Sequence, residues 1–214
     1  MCAGQMDSLQ DTGVAVSMHD TAESREIDIT QSELLVNFFW ESKEEFFAAY
    51  ALSTLINLLR EPVMRSQCDK VVQAICNVVS SLGQRSIPYL HQVMRELFQC
   101  LQSLQDARLQ ETVVNHLASI VSIIGPHAKE FVHDVVNIII AHWWISPAVQ
   151  RAAIRLLGSI SSALGSDFRP FISRLTPTLL RMLKQETDEA NLIALFDLLG
   201  NLGILLEDHV HILV

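Results

Sequence analysis

Apolar residues recur at three- and four-residue intervals along most of this chain, the spacing that puts them on one face of a helix. Phe46, Phe47, Tyr50, Leu52, Leu55, Ile56, Leu58 and Leu59 predict a first helix. Ser42 and Glu45 stand at capping-box spacing before it. Glu61-Pro62 ends it, because a proline disfavours the α conformation in the residue before it. Val71, Val72, Ile75, Val78, Val79 and Leu82 predict a second helix over about 65–82, stopped by Gly83. The plan then repeats. First helices are expected at about 87–104, 128–145 and 168–185, and second helices at about 107–124, 147–164 and 188–202. Leu82-Gly83, Ile124-Gly125, Leu164-Gly165 and Leu202-Gly203 mark the turns, with the glycines 42, 40 and 38 residues apart. A glycine in the left-handed conformation closes a helix at little steric cost. A period near 40 residues is that of stacked helical hairpins.

Aligned on those glycines, the first helices superpose. Leu90 matches Val132 and Ile172, Val93 matches Val135 and Leu175, and Leu97 matches Ile139 and Leu179. Phe98 matches Ile140 and Leu180, and Leu101 matches Trp143 and Leu183. Pro88 and Pro170 share one entry position, where a missing amide is tolerated. Pro177, inside a first helix, should kink it. A three-helix armadillo unit does not fit these lengths, and a tetratricopeptide unit is too short. The expected fold is all-α: a HEAT-type α-solenoid of antiparallel helix hairpins, about four full repeats plus a truncated fifth. The units fall at about 42–83, 84–125, 126–165 and 166–203, with 204–214 incomplete, inside an array over 32–214. Residues 1–31 have no apolar period and read as a disordered acidic leader.

Charge and cysteine content narrow the function classes. Half the chain is hydrophobic and 18% is charged, ample for a packed core. Of the net charge of −9, residues 1–33 hold −6, so the array itself is nearly balanced. That surface lacks the basic footprint that nucleic acid or an anionic membrane requires. Cys2, Cys68, Cys76 and Cys100 form no Cys-x-x-Cys, and the last three lie among apolar residues, as small buried thiols in a reducing compartment do. The N-terminus lacks the pattern of a secretory signal, and the apolar run from Phe131 to Ile145 is too short and too interrupted to span a bilayer. A cytoplasmic location is expected, with a nuclear one or membrane association through complexes also open.

The sequence offers no catalytic, cofactor-binding or metal-binding constellation. There is no glycine-rich phosphate loop, no Asp-Phe-Gly and no His-Arg-Asp. His127 with His133, and His209 with His211, lack the spacing of a helical zinc pair. The candidate contacts are therefore surface residues. Arg108, Glu111, Asn115, Ser119 and Ser122 form a polar stripe on one second helix; Arg151, Arg155, Ser159 and Ser162 form one on the next. Such stripes are either a solvated face or a groove for a protein partner. Arg108, Glu111, Arg151 and Arg155 are the candidates there. Trp143 falls on the core series, and Trp144, one step round, is a further candidate for a partner contact.

The segments between the turns resemble a known family. Ser32-Glu-Leu-Leu-Val-Asn37, Val71-Val-Gln-Ala-Ile75, Ser81-Leu-Gly83 and Leu90-His-Gln-Val-Met94 are similar to one block of the target-of-rapamycin (TOR) kinases, at the start of their middle HEAT region. The similarity continues through Ala163-Leu-Gly165 with Phe168, Thr176-Pro-Thr-Leu-Leu-Arg-Met-Leu183 and Leu206-Glu-Asp-His-Val-His-Ile-Leu213. His91 and Arg95 stand where prolines are expected, and the loop after Trp144 is about one residue short, which suits a divergent TOR or a paralogue. The resemblance implies a parent protein serine/threonine kinase of the phosphatidylinositol-kinase-related class. Its kinase domain, which takes ATP and magnesium, would lie far beyond this segment. It also implies a scaffold role and two kinds of partner: other HEAT units of the same or a second TOR chain, and a Raptor-type regulatory subunit. The alternative is a stand-alone HEAT adaptor, like a karyopherin or phosphatase scaffold, with no linked kinase. Such an adaptor would carry polar capping repeats, whereas the fifth unit here stops inside its first helix.

Overall fold

A computed structural model describes residues 43–142 and 146–206. The leader, the capping-box Ser42, Trp143, Trp144 and residues 207–214 of the incomplete fifth unit lie outside those residues. Eight α-helices follow one another there, and no strand occurs among the described residues. They are α1 (Lys43–Arg60), α2 (Cys68–Leu82), α3 (Leu90–Ser103), α4 (Ala107–Ile124), α5 (Val132–His142), α6 (Pro147–Leu164), α7 (Arg169–Gln185) and α8 (Glu189–Leu206). They pair as four hairpins, and the fold is an all-α HEAT-type solenoid. The second helices α2, α4, α6 and α8 stack in one row, with α4 against α6 the most extensive contact. The first helices are more widely splayed. The closer row is therefore the inner side of the stack. Buried Ala118 on α4 and buried Ala152 and Ala153 on α6 leave room for that approach.

Three of the four glycines turn the chain, in a conformation other than the one expected. Gly83, Gly125 and Gly165 have φ of 56°, 57° and 52° with ψ of −127°, −128° and −125°. That is not the left-handed helical region but the first corner of a type II′ turn, which glycine alone enters freely. Each opens a 3-10 segment: Gly83–Tyr89, Gly125–Phe131 and Gly165–Phe168. The first two delay the α-helical start that the sequence suggests, because a buried aromatic, Tyr89 or Phe131, must first be seated in the core. Phe168, fully buried, ends the third. The fourth glycine differs: α8 runs through Gly203 to Leu206 without a turn. Pro177 likewise leaves α7 one helix from Arg169 to Gln185.

The superposed core series holds for its first three rows, all buried in every unit. The fourth row drifts outward: Phe98 is buried, Ile140 half-buried, and Leu180 48% exposed. Cys68 and Cys76 are buried and Cys100 half-buried, all three as free thiols.

Candidate interaction surface

Three of the four second helices share an entry chemistry that positions the inner face. Asp106, Ser146 and Asp188 precede α4, α6 and α8. Asp106 Oδ1 accepts from the Arg108 amide at 2.8 Å, Ser146 Oγ from the Val149 amide at 3.3 Å, and Asp188 Oδ1 from the Asn191 amide at 2.9 Å. Each satisfies an orphan donor of the first turn. With the caps in register, Asn115, Arg155 and Asp197 occupy one open row across the three helices.

The two α6 arginines named by the sequence bond in opposite directions along the stack. Arg155 Nη1 donates to Asn115 Oδ1, at 2.8 Å, in the preceding unit. Arg151 Nε donates to Asn191 Oδ1 at 3.0 Å and its Nη2 to Asp188 Oδ1 at 3.2 Å, both in the following unit. Asn191 is fully buried, and its amide also donates to Glu186 Oε2 at 3.0 Å and the Pro147 carbonyl at 3.2 Å. Hydrogen bonds from Asn191 and two amides help hold the Glu186 carboxyl below its ordinary range, against a desolvation effect of opposite sign. Arg108 is exposed and Glu111 half-buried, and neither has an ion pair among the described residues. Trp144 lies outside them.

Between α6 and α8 the inner face opens into a cleft of about 290 Å³. Arg151, Arg155 and Asp197 edge it, and Gly158, Ala194 and Leu198 are among its lining residues. Asp197 was not singled out from the sequence, and neither were Asp188 and Asn191. The caps were legible as an Asp or Ser before the last three second helices, α4, α6 and α8. Asn191 was not, because only the packed seam turns an exposed-looking amide into a buried junction.

On the opposite row, the units are tied by charge. Glu96 of α3 is 5% exposed and accepts from Arg60 of α1 at 2.6 and 3.1 Å. The Arg60 bond is the chief cause that holds its carboxyl below the usual range. His91 meets Glu130 at 2.9 Å, and Lys129 meets Asp167 at 2.8 Å. Arg174 Nη2 donates to Asn137 Oδ1 at 2.6 Å. These bonds join residues 36 to 44 positions apart when the inner-face bonds are counted with them, which is one repeat.

The last described helix, α8, carries an open apolar face. The eighth residue after each cap is Val114, Ile154 and Phe196. The first two are 5% and 3% exposed beneath the following unit, whereas Phe196 is 60% exposed, with Ile193 and Ile204 beside it at 56% and 65%. By length and composition α8 is apolar enough to cross a membrane, the one such helix among the described residues. Here it packs on α6 and α7. Its second apolar side occupies the position that an adjoining unit covers elsewhere in the stack. Among the described residues no three His, Cys, Asp or Glu side chains gather as a metal site.

Residues 4–125 match the family model described as the serine/threonine-protein kinase mTOR domain, and residues 147–202 match a HEAT-like repeat. The first match begins well before Ser32. The chain is 31% identical over 193 residues to the serine/threonine-protein kinase mTor of Drosophila melanogaster, covering 90% of this chain and 8% of the relative. It is 24% identical over 211 residues to the serine/threonine-protein kinase TOR of Oryza sativa subsp. japonica, covering 91% of this chain and 9% of that protein. With the serine/threonine-protein kinase TOR2 of Saccharomyces cerevisiae it shares 23% identity over 211 residues, covering 91% and 8%. The chain thus spans less than a tenth of the length of these relatives.

Proposed function

The chain belongs to the family of TOR serine/threonine-protein kinases, as a segment of their helical-repeat region, and from that premise we propose that it acts as a scaffold in the assembly of a TOR-type signalling complex. The observation that carries this reading is the pattern of cross-links. Side chains on one row or the other tie each unit to its neighbour, so the array keeps its shape while its exposed faces stay available. A stack of this kind presents an extended surface rather than a reaction centre. The partners we infer are other HEAT units of the same or a second TOR chain, at the open face of α8, and a Raptor-type regulatory subunit on the inner face. Phosphotransfer, with its ATP and magnesium, is assigned to a kinase domain outside this segment.

The test uses the chain with a purified Raptor-type subunit in sedimentation analysis. Co-sedimentation that weakens about tenfold or more when exposed Arg108 and Arg155 are both replaced by Glu supports the inner face, since a charge reversal at a docking contact costs on the order of 1.4 kcal/mol per tenfold. Binding unaffected by the reversal moves the contact elsewhere on the array. ATP-dependent phosphotransfer by the chain alone would overturn the scaffold reading.

A further inference from the structure

Two cysteines that are far apart in sequence meet across the seam between the first two units. Cys68 is the first residue of α2, and Cys100 lies in the last turn of α3. Each thiol is near enough to the other to perturb its ionisation. Both line a cleft of about 230 Å³ that Arg60, Arg65, Glu96 and Gln99 also border. The cleft supplies what a buried thiol pair otherwise lacks, a polar route for a small oxidant. Cys76 is the internal contrast: it is equally buried in α2, but is no part of that cleft.

We propose that Cys68 and Cys100 are an oxidation site, a thiol pair that a hydroperoxide converts to a reversible disulfide stapling the first unit to the second. The chemistry balances in two steps. One thiol takes an oxygen atom from hydrogen peroxide, giving a sulfenic acid and one water. The other thiol then attacks that sulfur; the S–S bond forms, and the hydroxyl leaves with the attacking thiol's proton as a second water. Sulfur loses two electrons and peroxide gains them. A thiol reductant reverses the product by exchange. Burial raises both thiols above their ordinary pKa, Cys100 to about 12. The pair is therefore protonated at neutral pH and reacts slowly, responding to sustained rather than brief oxidation.

The geometry also says what the bond would do. It closes a loop that contains the end of the first hairpin, the 3-10 turn at Gly83 and nearly all of α3. The cross-link constrains the unfolded chain more than the native one, where both cysteines already line one cleft. The oxidised form should melt at higher temperature than the reduced form.

The experiment uses the full chain with Cys2→Ser, so that the thiol outside the described residues takes no part. The protein is held in excess hydrogen peroxide, alkylated under denaturing conditions, and read by intact mass and peptide mapping. The expected result is the loss of two hydrogen masses, a single cross-linked peptide joining Cys68 to Cys100, Cys76 still alkylated, and full reversal by dithiothreitol. Cys76→Ala should leave the cross-link intact, and Cys100→Ala should abolish both the cross-link and the rise in melting temperature. Mass gains in whole oxygen atoms without a cross-link, or a cross-link that uses Cys76, would overturn the proposal. Because the mapping is made on the chain with all three inner cysteines present, a variant that fails to fold does not decide the outcome.

Discussion

Gly125 sits at φ 57° and ψ −128°, a corner that an L-residue enters only under strain. A Cβ placed there meets nothing within 4 Å, so the requirement for glycine is conformational and not steric. Gly125→Ala should cost about 1–3 kcal/mol. Gly203, in Leu202-Gly203, follows a branched apolar residue as Gly125 follows Ile124, but it lies inside α8, also with open space around its Cβ. Gly203→Ala should instead stabilise by roughly 1 kcal/mol, the ordinary helix preference. Urea denaturation of the two variants measures the contrast, and a shift of the same sign in both would contradict it. The four glycines look alike in sequence because the period marks where a turn can occur. Whether it occurs depends on a buried aromatic that pulls the next helix in. Tyr89, Phe131 and Phe168 do this after the first three glycines. At the same scale, two groups set an acid limit. Burial lowers the pKa of His116 from 6.5, so the folded chain resists the proton that the unfolded chain accepts. The Arg60 bond lowers that of Glu96 from 4.5. Both folded values are depressed, so both contributions are present at neutral pH and are lost on acidification. The His116 part goes first, below about pH 6.5, and the Glu96 part below about pH 4.5. Arg60→Gln should cost about 2 kcal/mol at neutral pH, since a buried carboxylate loses a charged donor, and should flatten the lower leg of the stability–pH curve.

At the scale of the helix, the seam between α6 and α8 concentrates the polar chemistry. Asp188 caps α8 and also accepts from Arg151, while Asn191 joins Arg151, Glu186 and the Pro147 carbonyl. Asp106 caps α4 and makes no such link among the described residues. Asp106→Ala should therefore cost about 1 kcal/mol, the ordinary value of a cap. Asp188→Ala should cost about 2 kcal/mol, because the Arg151 bond goes with the cap. A double-mutant cycle between Arg151→Ala and Asn191→Ala should return a coupling of about 0.5–3 kcal/mol. A coupling of zero would mean that the arginine reaches Asn191 without holding it. Helix placement was the most legible part of the sequence, since three- and four-residue apolar spacing locates α4, α6 and α7 almost to the residue. The arginines were legible as a stripe but not as links. Spacing reports which face a side chain shares, and the partner it meets belongs to another repeat. Asp197 escaped notice for the same reason: its row with Asn115 and Arg155 exists only once the second helices are stacked.

For the whole molecule, the cross-unit side-chain bonds named above are each one repeat long, so the array behaves as a chain of neighbours. Its stability is then close to a sum of unit terms and interface terms. Phe196, at a position buried in the two preceding units, is 60% exposed. The fourth unit consequently has an interface on one side only among the described residues and should open most easily. Leu195 is fully buried in α8. Leu195→Ala should remove about 2–5 kcal/mol from that unit. In a globular core such a loss spreads over every amide. In a stack it falls off with distance, because α8 packs on α6 and α7 and not on α1 to α3. Hydrogen exchange followed by mass spectrometry should show large loss of protection in α7 and α8, a smaller loss in α6, and none in α1 and α2. Uniform loss across all eight helices would show that the four units fold as one cooperative body. An adjoining HEAT unit that covers Phe196 should restore protection in α8 first, which ties the open apolar face to assembly rather than to chemistry.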